Sequence, residues 1–173
     1  MFGFRAPSFR FPPLREGNRK LARFPLLRRG NLQRGFQRLR VDEAVVAAPK
    51  VYIPGRTRTT LEYTVGRTRL IAENQQLETD LVLEYQGTVT ILEAKNRFLS
   101  NFAVYQLFHP IKHYHQRAKA KGIQVPHLNA CYVLKQARRK DTRIRMYLYE
   151  FSDLDRIDSI RLVRKAEYRL RVR

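Results

Sequence analysis

The chain is short of three things. It has one cysteine, Cys131, so neither a disulfide framework nor a cysteine-based zinc site is available, and the lone thiol reads as a small core residue. It has no apolar run long enough to span a bilayer, and no membrane partner is expected. MFGFRAPSFRFPPLR is broken by Arg and Pro where a secretory segment needs an unbroken apolar stretch, so a cytoplasmic protein is expected. Acids are the third shortage: 15 Asp and Glu stand against 35 Lys and Arg in 173 residues, a formal net charge of +20. A field of that size attracts polyanions and gains from counterion release on binding phosphates. Nucleic acid is therefore the natural partner, with an anionic membrane surface as the second choice.

What is present divides into two parts. Residues 1–48 form a basic segment rich in Arg, Phe and Pro. Pro7, Pro12, Pro13 and Pro25 interrupt any long helix, and up to about residue 40 the only acid is Glu16. This composition fits an arm lying along a nucleic-acid backbone, poorly ordered by itself. A misassigned start, the remnant of a lost domain, or an organelle-targeting peptide fits it too. VDEAVVAA, residues 41–48, reads as a short helix ending near Pro49.

Residues 49–173 read as a folded core. TLEYTV and TRLIAE flank Gly66-Arg67 as a first hairpin. A second, within ETDLVLEYQGTVTILEAKN at residues 78–96, surrounds Gln86-Gly87. A helix is expected from Ser100 or Asn101 to Gly122, kinked or split at Pro110. HLNACYVLK is apolar enough for a buried central strand, and RIRMYLYEF alternates as another. DLDRIDSIRLVRK suggests a helix, and EYRLRVR a short last strand. Strands, helix, strand, strand imply an α/β architecture with one mixed sheet.

The second hairpin carries the chemistry. With the turn at Gln86-Gly87, stepping back along both strands sets Asp80 opposite Glu93. Alternation puts Glu93 and Lys95 on one face with Val89 and Ile91, and Asp80, Val82 and Glu84 on that face of the partner strand. Leu81, Leu83, Tyr85, Leu92 and Ala94 take the other. Opposed carboxylates lie about 5 Å apart at Cβ and repel, so they share a proton or hold a cation. Two hard oxygen ligands and a nearby main-chain carbonyl suit Mg²⁺, with Mn²⁺ as a substitute. Lys95 would stand beside that ion, placed to offset phosphate charge or orient a water.

Asp80, the Glu93-Ala94-Lys95 tripeptide at the end of the next strand and the helix after it resemble the PD-(D/E)xK nuclease superfamily, and most nearly type II restriction endonucleases, over residues 73 to 173. The resemblance implies a restriction-endonuclease-like fold, a mixed central sheet flanked by helices. It implies a Mg²⁺-dependent endonuclease that hydrolyses DNA phosphodiesters, with RNA not excluded and a homodimer possible by analogy with symmetric duplex cutting. Carried over, Asp80 and Glu93 bind the metal, the Ala94 carbonyl assists, and Lys95 is catalytic. Thr79 replaces the usual proline. The family often adds one more acid; Glu73, Glu62, Glu43 and Asp42 are all candidates, and Glu73 is nearest in sequence. Gln106 resembles a glutamine that some members place after the lysine, although Pro110 stands where a tyrosine usually follows.

Tyr105, Gln106, His109, Lys112 and His113 recur at helical spacing as one face beside this site. His109 and His113 suit surface phosphate contacts better than zinc, for want of a third ligand. Lys119, Lys121, Arg138, Arg139 and Lys140 are backbone contacts or a solvated face, while Tyr147 and Tyr149 read as core. Lys112, His113, Arg138, Arg139 and Lys140 are the nucleic-acid-binding candidates. The competing function is a non-catalytic basic nucleic-acid-binding protein built on a decayed nuclease fold.

Overall fold

The computed structural model describes residues 8–11, 19–20, 49–139 and 141–171. The helix expected over residues 41–48, the acids Asp42 and Glu43, and Lys140 lie outside them.

The centre is the hairpin of β6 (Leu81–Tyr85) and β7 (Thr88–Lys95). Its turn residues, Gln86 and Gly87, both have positive φ, 47° and 74°, the combination that matches a two-residue turn to strand twist. Tyr85 pairs with Thr88 and Leu81 with Leu92, the register read from the sequence. β9 (His127–Ala137) runs parallel to β7, and β10 (Asp141–Phe151) returns antiparallel to β9. With β2 (Arg19–Lys20), β3 (Lys50–Tyr52) and β11 (Ile160–Arg171), these strands make a seven-stranded mixed sheet ordered β2-β11-β10-β9-β7-β6-β3.

A parallel β7–β9 pair needs a crossover, and α1 (Tyr105–Ala120) supplies it. The helix stops at a Schellman turn: Ile123 N–H donates to the Ala118 carbonyl and Gly122 N–H to that of Lys119, with Gly122 at φ 65°. Leu107 and Ile111 pack on the sheet with Val82, Ile91, Tyr132 and Tyr147. Phe108 turns instead to Leu61, Tyr63 and Ile157. Leu61 and Tyr63 belong to β4 (Thr57–Val65), which pairs with β5 (Thr68–Leu77) as a separate two-stranded sheet. Its turn, Gly66-Arg67, is where the sequence placed it. The helix is thus enclosed, and every residue from Leu107 to His113 is buried. The second face of the main sheet holds Leu92, Cys131 and Val133, with Leu81, Leu83 and Met146 beside them.

Two expectations about elements fail, and of the two readings at Pro110 the split is excluded. The helix begins at Tyr105, because Asn101–Ala103 forms β8, paired with β1 (Ser8–Arg10) from far along the chain. Pro110 does not split it. Residues 153–165 contain a 3₁₀ turn, Ile157–Ser159, and the start of β11 rather than a helix. There the period-two pattern of Ile160 and Leu162 wins, since β10 offers a partner along its whole length. The fold is mixed α/β and mostly sheet, with one α-helix among the described residues.

The described parts of the basic N-terminal segment are built into this core. Phe9 and Phe11 enter the aromatic cluster, Phe11 lying 5.3 Å from Tyr132 and 4.6 Å from Tyr147 between ring centroids. β2 adds a parallel edge to β11.

Candidate active site

The site lies where β7 ends. Asp80 immediately precedes β6, and its Oδ2 accepts a 2.8 Å hydrogen bond from the Ala94 N–H. That bond ties the aspartate to the middle of the Glu93-Ala94-Lys95 tripeptide. Lys95 Nζ donates to Glu93 Oε1 at 2.5 Å. The Glu93 side chain is only 13% exposed and that of Lys95 35%. Burial raises the Glu93 carboxyl above its ordinary range; Lys95 opposes this, while Asp80 and Glu78 push further upward.

Behind Glu93 stands a residue that sequence reasoning left unassigned. Tyr132 pairs with Glu93 across the parallel β7–β9 ladder, so both side chains leave the same face. Its hydroxyl donates to Gln106 Oε1 at 3.1 Å. Burial, then the charges of Glu93 and Asp80, raise its phenol pKa far above normal. Gln106 is therefore brought to the site through Tyr132. The signal in the sequence was a tyrosine inside an apolar central strand, which is otherwise an ordinary core pattern.

Glu73 is exposed beside a bulge in β5, in the separate hairpin, and no described contact joins it to Asp80 or Glu93. Glu78, two residues before Asp80, is the acid whose charge reaches Glu93; it also meets Arg56 at 3.3 Å. Among the described residues, no group of three or more His, Cys, Asp or Glu is gathered to hold a metal ion. The donors present are two carboxylates and a main-chain carbonyl. Of these, the Asp80 and Glu93 carboxylates are the groups that could hold a Mg²⁺ ion whose remaining positions go to water and phosphate.

The helical face expected to touch phosphate is not on the surface. His109, Lys112 and His113 are 5%, 4% and 9% exposed. Lys112 Nζ donates to the Leu154 carbonyl and to Asp155 Oδ1, pinning the loop before β11 to the helix. His109 Nε2 lies 3.0 Å from the Tyr63 hydroxyl, and burial lowers its pKa to about 4. These residues face inward because α1 is enclosed by both sheets. Arg138 and Arg139 are exposed after β9, whereas Tyr147, Tyr149 and Cys131 are buried as expected. The Cys131 thiol is pushed up to about 12 by burial. No helix among the described residues is long and apolar enough to cross a membrane.

A family model described as Domain of unknown function (DUF6997) matches residues 32–169. No curated protein and no solved structure matches the chain.

Proposed function

The chain belongs to that family, and we propose that it is a metal-dependent endonuclease hydrolysing DNA phosphodiester bonds at Asp80, Glu93 and Lys95. The observation that carries the reading is the Asp80–Ala94 hydrogen bond beside the Glu93–Lys95 pair. It gathers two carboxylates and an ammonium at one strand end, next to an apolar core, in a chain of net charge +20. The hairpin, crossover helix and parallel strand that follow one another here support the finer fold reading, a restriction-endonuclease-like sheet.

In this reading Asp80, Glu93 and the Ala94 carbonyl would hold Mg²⁺ or Mn²⁺. When bound, the ion lowers the pKa of a water and offsets charge on the phosphate. Glu93 is held in place by its strand and by Lys95, with the Tyr132–Gln106 pair on the neighbouring strand and helix. Lys95 presents its ammonium to a phosphate oxygen or to the attacking water. Water oxygen bonds to phosphorus, one phosphorus–oxygen bond to a sugar breaks, and a phosphate end and a hydroxyl end result. Two copies acting on the two strands of a duplex fit such a reaction.

The Glu93–Lys95 ion pair also favours a second reading. It neutralises the buried carboxylate internally, as a basic nucleic-acid-binding protein without catalysis would need. Asp80→Ala separates the two. Under the nuclease reading it abolishes Mg²⁺-dependent cleavage and retains DNA in a gel-shift assay. If the parent protein retains DNA but never cuts it, the binding reading replaces the first.

A further inference from the structure

The sheet face that carries Glu93 and Lys95 continues away from the site, and its register can be followed strand by strand. Lys95 pairs with Leu134, Leu134 with Arg145, and Arg145 with Glu167. The next row toward the same end is Gln136, Arg143 and Arg169. Directly paired residues point to the same side of a sheet. Arg143, Arg145 and Arg169 therefore share the face of the candidate site, beginning two strand spacings, about 10 Å, from Lys95.

Two of these arginines are held from below. Arg145 Nε donates to Glu167 Oε2 at 2.7 Å and Arg169 Nε to Asp141 Oδ2 at 2.5 Å. The carboxylates are nearly covered, with side chains 10% and 8% exposed, while those of Arg145 and Arg169 stay 31% and 41% exposed. The acids lie under the guanidinium groups and the cations face outward. Arg145 also lies 4.1 Å over the Phe98 ring. Phe98 is three residues beyond Lys95, so this contact joins the motif loop to the arginine row. Arg143 stands between them and has no ion pair among the described residues. Its Nε is buried without a hydrogen-bond partner.

We propose that Arg143, Arg145 and Arg169 form a pre-set cationic platform that takes the phosphodiester backbone of a DNA duplex and leads it to Lys95. The inference deepens the nuclease reading and names where its substrate lies. Arg145 and Arg169, already fixed through Nε, give up little rotamer freedom on meeting phosphate. The 10 Å from Lys95 to β10 corresponds to about three nucleotides of rise along one strand. Arg143, whose charge no acid offsets among the described residues, adds most to the attraction for phosphate.

The test is binding of a mixed-sequence DNA duplex by the full chain in EDTA, at several salt concentrations, so cleavage plays no part. Arg143→Gln is compared with Arg67→Gln, which removes the same charge from the exposed turn of the other hairpin. Neither variant strands a buried carboxylate. We expect Arg143→Gln to lower the slope of log affinity against log salt by about one and to weaken binding roughly fivefold near 0.15 M salt. Arg67→Gln should leave the slope unchanged. Equal effects of the two variants, or none from Arg143→Gln, overturn the platform. So does preferential binding of the parent to an equimolar phosphatidylserine–phosphatidylcholine vesicle over DNA. If the parent cleaves DNA but Arg143→Gln binds like the parent, the platform fails and the nuclease reading stands. If Arg143→Gln loses DNA while the parent never cleaves, the platform stands and the nuclease reading fails.

Discussion

The two hairpins of this protein share a design and part in their use of charge. β4–β5 and β6–β7 each turn through two residues, with Gly66 and Gly87 at positive φ. In β4–β5 the charges sit on exposed positions: Glu62 pairs with Arg69 on the surface, and Leu61 and Tyr63 point inward to α1. In β6–β7 the charges stand at the end of a strand that the sheet encloses, and Glu93 is drawn into the edge of the core. An acid on a solvated face needs no partner. An acid on an enclosed face must be neutralised, and Lys95 does this for Glu93 against the added charge of Asp80.

The largest effect expected from breaking this contrast is on catalysis. Asp80→Ala or Glu93→Ala should lower DNA cleavage by at least about 10²-fold, the loss usual for a central electrostatic contact. Glu62→Ala and Glu73→Ala on the other hairpin should leave it near the parent rate in the same assay.

Packing comes next. Leu61 is fully buried and Ile71 is 57% exposed. Leu61→Ala should cost about 2–5 kcal/mol in urea unfolding, and Ile71→Ala less than about 0.5 kcal/mol.

The join between the first hairpin and the helix gives a pH dependence. The His109 pKa is lowered to about 4 by burial, so the folded protein holds this ring neutral while the unfolded chain protonates near 6.5. The stabilisation is present above pH 6.5 and is lost as pH falls toward 4. It amounts to on the order of 3 kcal/mol. Urea unfolding of the parent should weaken over that range, and His109→Gln should flatten the curve.

The smallest effect has the opposite sign. The raised Glu93 pKa means that the carboxylate opposes folding as pH rises above its unfolded value. Glu93→Gln should therefore raise the urea midpoint at pH 7 while it removes cleavage, whereas Glu62→Gln should not move the midpoint.

Much of this was legible in the sequence because it was local. Alternation and Gln86-Gly87 set the register that brings Asp80 to the tripeptide, and Gly122 marked the helix end. The misses came from distant partners. Asn101–Ala103 reads as a helix start until Ser8–Arg10 pairs with it. Residues 160–165 read as helix until β10 lies alongside. Lys112 and His113 read as surface cations because nothing local shows that a second sheet closes over α1. Tyr132 looked like core, and it is core; its role beside Glu93 comes only from the parallel β7–β9 register.

The most direct measurement is cleavage of mixed-sequence plasmid DNA with Mg²⁺, beside an EDTA control and the Lys95→Ala protein. Discrete fragments that need both the metal and Lys95 are the expected result. Intact plasmid in every lane, with salt-sensitive retention of the same DNA, would contradict the account and leave a binding protein in its place.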